Sequence, residues 1–117
     1  MAMKTVVRRD GNSMIVSLEG NLDFETTDAF RESLTRLERQ AAGGQVIFDL
    51  GALQFVGSSG ISAFVQALRE FNGRAATRPR YANVRSEFKK IISAFDESGT
   101  FDFADGAAER LIKSFDN

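Results

Sequence analysis

The residues best placed to do chemistry are Ser58 and Ser59, held between Gly57 and Gly60. Directly after them Ile61, Phe64, Val65, Leu68 and Phe71 recur at the spacing of one apolar stripe on a helix. Two hydroxyls therefore stand in a loop at a helix entrance. The first N–H groups of a helix have no intrahelical partner, and the aligned peptide dipoles leave partial positive charge there. Two readings follow. A serine in this place caps the helix by accepting from those N–H groups. It can equally receive a phosphoryl group, whose charge the same geometry accommodates. The glycines favour the second reading, because they leave the hydroxyls uncrowded and let another backbone come close.

Other chemistry is restricted by what the chain lacks. It contains no His and no Cys. That excludes a Ser-His-Asp triad, a His-containing zinc site, disulfides and thiol chemistry. Gly57-Ser58-Ser59-Gly60-Ile61 is not a Gly-x-Ser-x-Gly nucleophile elbow, since Ile61 stands at the last glycine. Neither a phosphate-binding Gly-x-x-x-x-Gly-Lys-Ser/Thr loop nor a Gly-x-Gly-x-x-Gly fingerprint occurs. No catalytic, metal or cofactor residue is expected, and an enzyme is disfavoured.

The elements that must position the serines are legible around them. Val46 to Leu50, apolar except for Asp49, reads as a strand buried on both faces. Asp49, at its end, is expected to satisfy N–H groups of the following turn and to have no chemical role. Upstream, Lys4 to Arg9 and the alternating Ser13 to Glu19 flank the turn signal Asp10-Gly11-Asn12, predicting a hairpin. Gly20 to Phe24 leads to a helix that Thr26 or Thr27 can cap, with Phe30, Leu34 and Leu37 inward and Ala41 to Gly44 as its end. Downstream come a loop over residues 72–79, a short strand Tyr81 to Val84, and a helix from Ser86 bearing Phe88, Ile91, Ile92 and Phe95. Phe101 and Phe103 suggest a short edge strand, facing the core or a self-association patch. Ala108, Leu111, Ile112 and Phe115 suggest a last helix.

Strands alternating with helices predict an α/β fold. The expected sheet is mixed but mostly parallel, with four to five strands and about four helices, in one domain over residues 1–117. Eleven Phe and no Trp provide core rings that need no hydrogen-bond partner. The net charge of −1 gives no basic field for nucleic acid. No apolar run approaches the roughly 20 residues of a membrane span. Without cysteine or a signal-peptide pattern, a cytoplasmic location is the simplest expectation.

The whole pattern resembles the STAS domain family, which takes its name from sulfate transporters and anti-sigma factor antagonists. Gly20-Asn-Leu-Asp23 is similar to that family's Gly-x-Leu-Asp after the second strand. Val46-Ile-Phe-Asp49-Leu is similar to its central strand, and Phe55-Val-Gly-Ser-Ser-Gly-Ile61 to its Asp-Ser-Ser-Gly loop. The resemblance implies a bacterial regulator of transcription that binds an anti-sigma factor with serine kinase activity, of the GHKL type. It implies phosphorylation at Ser59, with Ser58 the secondary candidate, and a partner surface that includes Asp23, Gly57, Ser58, Ser59 and Gly60. Read from the residues alone, Asp23 is equally a turn-stabilising aspartate. The chain departs from the family at Gly57, where an acid normally precedes the serines. Either Gly57 only loosens the loop, or the protein binds its partner constitutively. A soluble accessory subunit of a transport or signalling complex is the alternative function. The sequence is compatible with a monomer and with a dimer.

Overall fold

In the computed structural model, residues 3–22, 26–55, 58–95 and 101–103 are described, with Phe55, Ser58 and Ser59 described by backbone alone. The elements run β1 (Lys4–Asp10), β2 (Ser13–Leu22), α1 (Thr27–Ala41), β3 (Gln45–Phe55), α2 (Ser58–Arg74), β4 (Arg80–Ala82), α3 (Ser86–Phe95) and β5 (Asp102–Phe103). The five strands form one sheet in the order β1-β2-β3-β4-β5.

The hairpin closes where the turn signal lies. Asp10 pairs with Ser13, and Gly11 between them has φ +59°. A positive φ at the first central residue of a two-residue loop suits the right-handed twist of the flanking strands, and glycine adopts it without strain. The next three pairings, β2 with β3, β3 with β4 and β4 with β5, are parallel. Parallel neighbours need crossovers, which α1, α2 and α3 supply. All three crossovers step the same way along the sheet, so their common right hand puts the three helices on one face.

The sheet is more evenly mixed than the alternation of strands and helices suggested. The antiparallel β1–β2 ladder pairs seven residues, from Lys4↔Glu19 to Asp10↔Ser13. The β3–β4 and β4–β5 ladders are short, three and two residue pairs. Three helices are present among the described residues, against about four expected. The fourth, over Ala108 to Phe115, lies outside the described residues. Other boundaries also differ, β2 among them, which runs past Glu19 to Leu22. Asn72 to Arg74 continue α2, where a loop was expected, and β4 is confined to Arg80–Ala82.

On the helix-bearing face Met14, Val16, Leu18 and Leu22 of β2 join Val46, Phe48, Leu50 and Leu53 of β3 in the buried core. Aromatic rings bind the layers in two chains. Phe30 stacks on Phe64 at 5.0 Å between ring centroids, and Phe64 approaches Phe88 at 6.1 Å, linking α1, α2 and α3. Phe71, Phe48, Tyr81 and Phe101 run from α2 across the sheet at 5.5, 5.2 and 4.8 Å. Phe101 is thus a core residue. Phe103 packs partly against the core, with the Lys89 ammonium 5.4 Å from its ring centroid.

Candidate functional site

Helix α2 is the best-buried helix, and its burial fixes where its first turn stands. Gly60, Phe64, Val65, Ala67, Leu68 and Phe71 are buried along one side. Ile61, expected in the stripe, is only half-buried and packs at the edge of the core. Phe64, Val65, Leu68 and Phe71 are buried as the periodicity predicts, and the small residues Gly60 and Ala67 join them. Ser62 and Gln66 lie on the exposed side.

The structure revises the place of the serines within this element. Helix α2 starts at Ser58, so Ser58, Ser59 and Gly60 are its first three residues rather than a preceding loop. Gly57 falls on the position before the helix and lies outside the described residues, as does Asp23. The cap reading of Ser58 and Ser59 loses force, since a capping side chain belongs to the residue before the first helical one. The N–H groups of the first helical residues are instead those left without intrahelical acceptors.

Register aligns the ends of the two strands that precede the motifs. β2 and β3 run parallel, and their last residues, Leu22 and Phe55, are partners across the ladder. The two strands therefore end level with each other at the same end of the sheet. Asp23 is the next residue after Leu22, and Ser58 opens the helix shortly after Phe55. Thr26 precedes α1 with helical φ and ψ and forms no capping bond through its side chain. Thr27, the first residue of α1, is 7% exposed, and its Oγ1 has no hydrogen-bond partner.

Two depressions border α2. One of about 410 Å³ lies among the helices, bordered by Arg31, Ser62, Gln66, Arg69 and Phe95. Phe95 is one of two large apolar side chains exposed among the described residues, at 43%. The other, of about 430 Å³, lies between β3, α2 and α3 and is floored by Leu50, Leu53, Ile61, Phe88 and Ile91. Arg31 is 3.6 Å from Glu70, an exposed pair of small energetic weight.

Sequence reasoning missed a feature in β3. The strand does not end at Leu50 but runs to Phe55. Asp49 pairs with Ser17 and Ala52 with Glu19, so Leu50 and Gly51 together face Leu18 alone. This is a β-bulge, one extra residue on β3. It shifts the side-chain phase: Val46, Phe48 and Leu50 point into the core before it, and Leu53 after it. The signal was present in the sequence as alternation that slips by one residue at Gly51.

Asp49 performs the role expected of it, inside the strand rather than at its end. Its Oδ1 accepts the Gly51 N–H at 3.0 Å and the Asn83 side-chain amide at 3.1 Å. Asn83 itself has φ +57°, in the left-handed region where Asn is among the tolerated residues. The Arg85 guanidinium approaches the Gly51 carbonyl at 3.4 Å.

Comparison with known proteins agrees with this architecture. The family model of the STAS domain matches residues 4–111. No curated protein matches the chain. Among solved structures, an anti-sigma factor antagonist from Mycobacterium paratuberculosis superposes with a TM-score of 0.73 at 19% identity, over 96% of this chain and 93% of that one. The anti-sigma factor antagonist SpoIIAA in its unphosphorylated form gives 0.62 at 20% identity, over 99% of both chains. The Bacillus cell fate determinant SpoIIAA in its phosphorylated form gives 0.60 at 20%, over 97% of this chain and 99% of that one. At such identities the likeness is one of fold.

Proposed function

The chain belongs to the STAS domain family, and from that premise we propose that it is an anti-sigma factor antagonist. It acts as a binding protein, not an enzyme. It docks a cytoplasmic anti-sigma factor with serine kinase activity of the GHKL type, and phosphorylation at Ser59 switches it off, with Ser58 as the secondary acceptor. Asp23, Gly57, Ser58, Ser59 and Gly60 belong to the docking surface. The observation that carries this reading is the start of a well-packed helix at Ser58, reached from a strand that ends level with β2 at the pair Leu22↔Phe55.

The physics of the switch follows from that placement. A phosphoryl group adds about −1.5 to −2 charges at neutral pH. The free N–H groups and dipole of a helix start hold such a charge without unfolding the fold beneath. A docked partner would have to desolvate it, which is costly unless the partner offers cations. Modification then acts by exclusion at the surface, not by remodelling. In support, SpoIIAA is named in both a phosphorylated and an unphosphorylated form, and each shares this fold.

A second reading rests on Gly57, which stands where the family carries an acid. If that acid orients the hydroxyl for transfer, this chain binds constitutively, as an accessory subunit of a transport or signalling complex. One experiment separates the two. The protein is incubated with ATP and the GHKL-type kinase that co-purifies with it, its intact mass is measured, and the site is mapped. In parallel, kinase affinity is measured for Ser59→Ala and Ser59→Asp. The switch predicts a mass gain of one phosphoryl group at Ser59, and binding by Ser59→Asp at least about tenfold weaker than by Ser59→Ala, roughly 1.4 kcal/mol. Equal affinity of the two variants refutes the switch, and equal affinity with no mass gain is the signature of the constitutive binder.

A further inference from the structure

We propose that Asp49 is a positioning residue: its carboxylate closes the bulge at Leu50–Gly51, and this closure sets where the start of α2 stands. The inference rests on the reading of that helix start as the docking surface.

The bulge lies at a branch in the sheet. Up to Asp49, β3 is paired on both sides, with Ser17 of β2 and Ala82 of β4. Beyond it, Ala52 to Phe55 pair, among the described residues, with β2 alone. The last stretch of β3 before α2 is thus held on one side only, and its position depends on how the bulge is fixed. An extra residue leaves a backbone N–H without its ladder acceptor. Gly51 is that residue, and its N–H is taken by Asp49 Oδ1 at 3.0 Å.

The same oxygen reaches across to the neighbouring strand. It accepts the Asn83 amide at 3.1 Å, one residue after the β3–β4 ladder ends. One carboxylate therefore ties the bulge to the point where β4 turns off toward α3. Space around it is tight: a Cβ on Gly51 would lie 3.2 Å from both the Asn83 Cβ and Asp49 Oδ1. The consequence appears in the phase of the side chains. With the bulge closed, Leu53 points inward and is 3% exposed. Were β3 to slip back into unbroken alternation, Leu53 would turn outward, Ala52 and Gln54 would turn inward, and the route into α2 would shift with them.

Backbone amide exchange, resolved to single residues, tests this without any partner. In Asp49→Ala the amides of Ala52 to Phe55 and of Ser62 to Val65 should exchange at least about tenfold faster, while those of Met14 to Val16 and Leu34 to Leu37 keep their rates, the pattern of local rather than global opening. Asp49→Asn keeps an acceptor oxygen and should stay within about threefold of the wild type. If Asp49→Ala does not fold, Asn83→Ala, which removes one of the two donors, should show the same pattern at smaller amplitude. Uniform acceleration throughout the protein, or none over residues 52–55, overturns the proposal. Kinase affinity is measured on the same variants. Faster local exchange with unchanged affinity means that the latch holds and the docking reading fails. A difference between Ser59→Asp and Ser59→Ala without the exchange pattern means the reverse.

Discussion

Replacing Thr27 by valine should make the protein more stable. Thr27 opens α1 and is the one buried polar residue among the described residues, 7% exposed, with an Oγ1 that has no hydrogen-bond partner. A hydroxyl stripped of water without a protein partner costs about 1–3 kcal/mol. Valine keeps the branched shape, removes the polar atom and has nearly the same helix propensity as threonine. It also puts a methyl where an oxygen stood, which is slightly larger and consumes part of the gain. The net expectation is a stabilisation of about 1 kcal/mol. For a chain of 117 residues that raises Tm by roughly 3–6 °C. Urea unfolding followed by circular dichroism is the assay, with the midpoint rising and the slope unchanged. Thr27→Ser is the internal control. It retains the orphan hydroxyl and deletes a buried methyl, so it should lose about 1 kcal/mol. A Thr27→Val protein no more stable than the wild type would refute the reasoning, because it would mean that the hydroxyl is satisfied in solution.

Two further substitutions test packing elsewhere. Gly44→Ala should destabilise by about 1–3 kcal/mol or more in the same urea assay, because the new Cβ would run into the Asn12 backbone carbonyl, and backbone cannot rotate aside. Tyr81→Phe should cost about 1–3 kcal/mol: its hydroxyl donates to Asn72 Oδ1 at 2.6 Å. Asn72 Nδ2 is already buried without a partner. The double variant Tyr81→Phe, Asn72→Leu should lie closer to the wild type than Tyr81→Phe alone, since replacing both polar partners removes the penalty for leaving one unpaired.

The parts of the fold that the sequence reveals are those where local chemistry and tertiary packing agree. Asp10-Gly11-Asn12 signals a turn, and the hairpin closes there. Phe64, Val65, Leu68 and Phe71 repeat at helical spacing and are buried. Where the two disagree, packing prevails. Asn72-Gly73 looks like a helix stop, yet α2 continues to Arg74. The Asn72 side chain takes the Tyr81 hydroxyl, and the Arg74 guanidinium lies 3.2 Å from Glu38 of α1. Neither partner could be read from residues 72–74 alone. Likewise Ala42, not a glycine, takes the left-handed position at the end of α1, with φ 49°. Gly43 and Gly44 follow, and Gly44 is required by the nearness of the Asn12 carbonyl. That requirement is a contact between distant segments, invisible to local propensity.

The site divides along the same line. That a helix begins near Ser58 follows from periodicity, but its first residue does not, because serine and glycine are weak helix formers whose place in a first turn is decided by what lies beneath. Gly60, the third helical residue, is buried. That β2 and β3 end level, just before the two motifs in the chain, is a matter of register. It arises only when β2 and β3 are aligned so that Leu22 meets Phe55. Without the extra residue at Gly51, the pairs Met14↔Val46 and Ser17↔Asp49 would carry Leu22 to Gln54. β3 would then overrun β2 by one residue, with its inward and outward faces exchanged at the point where it feeds α2. One glycine in mid-strand thus decides whether the two strands that lead to those motifs end level with each other.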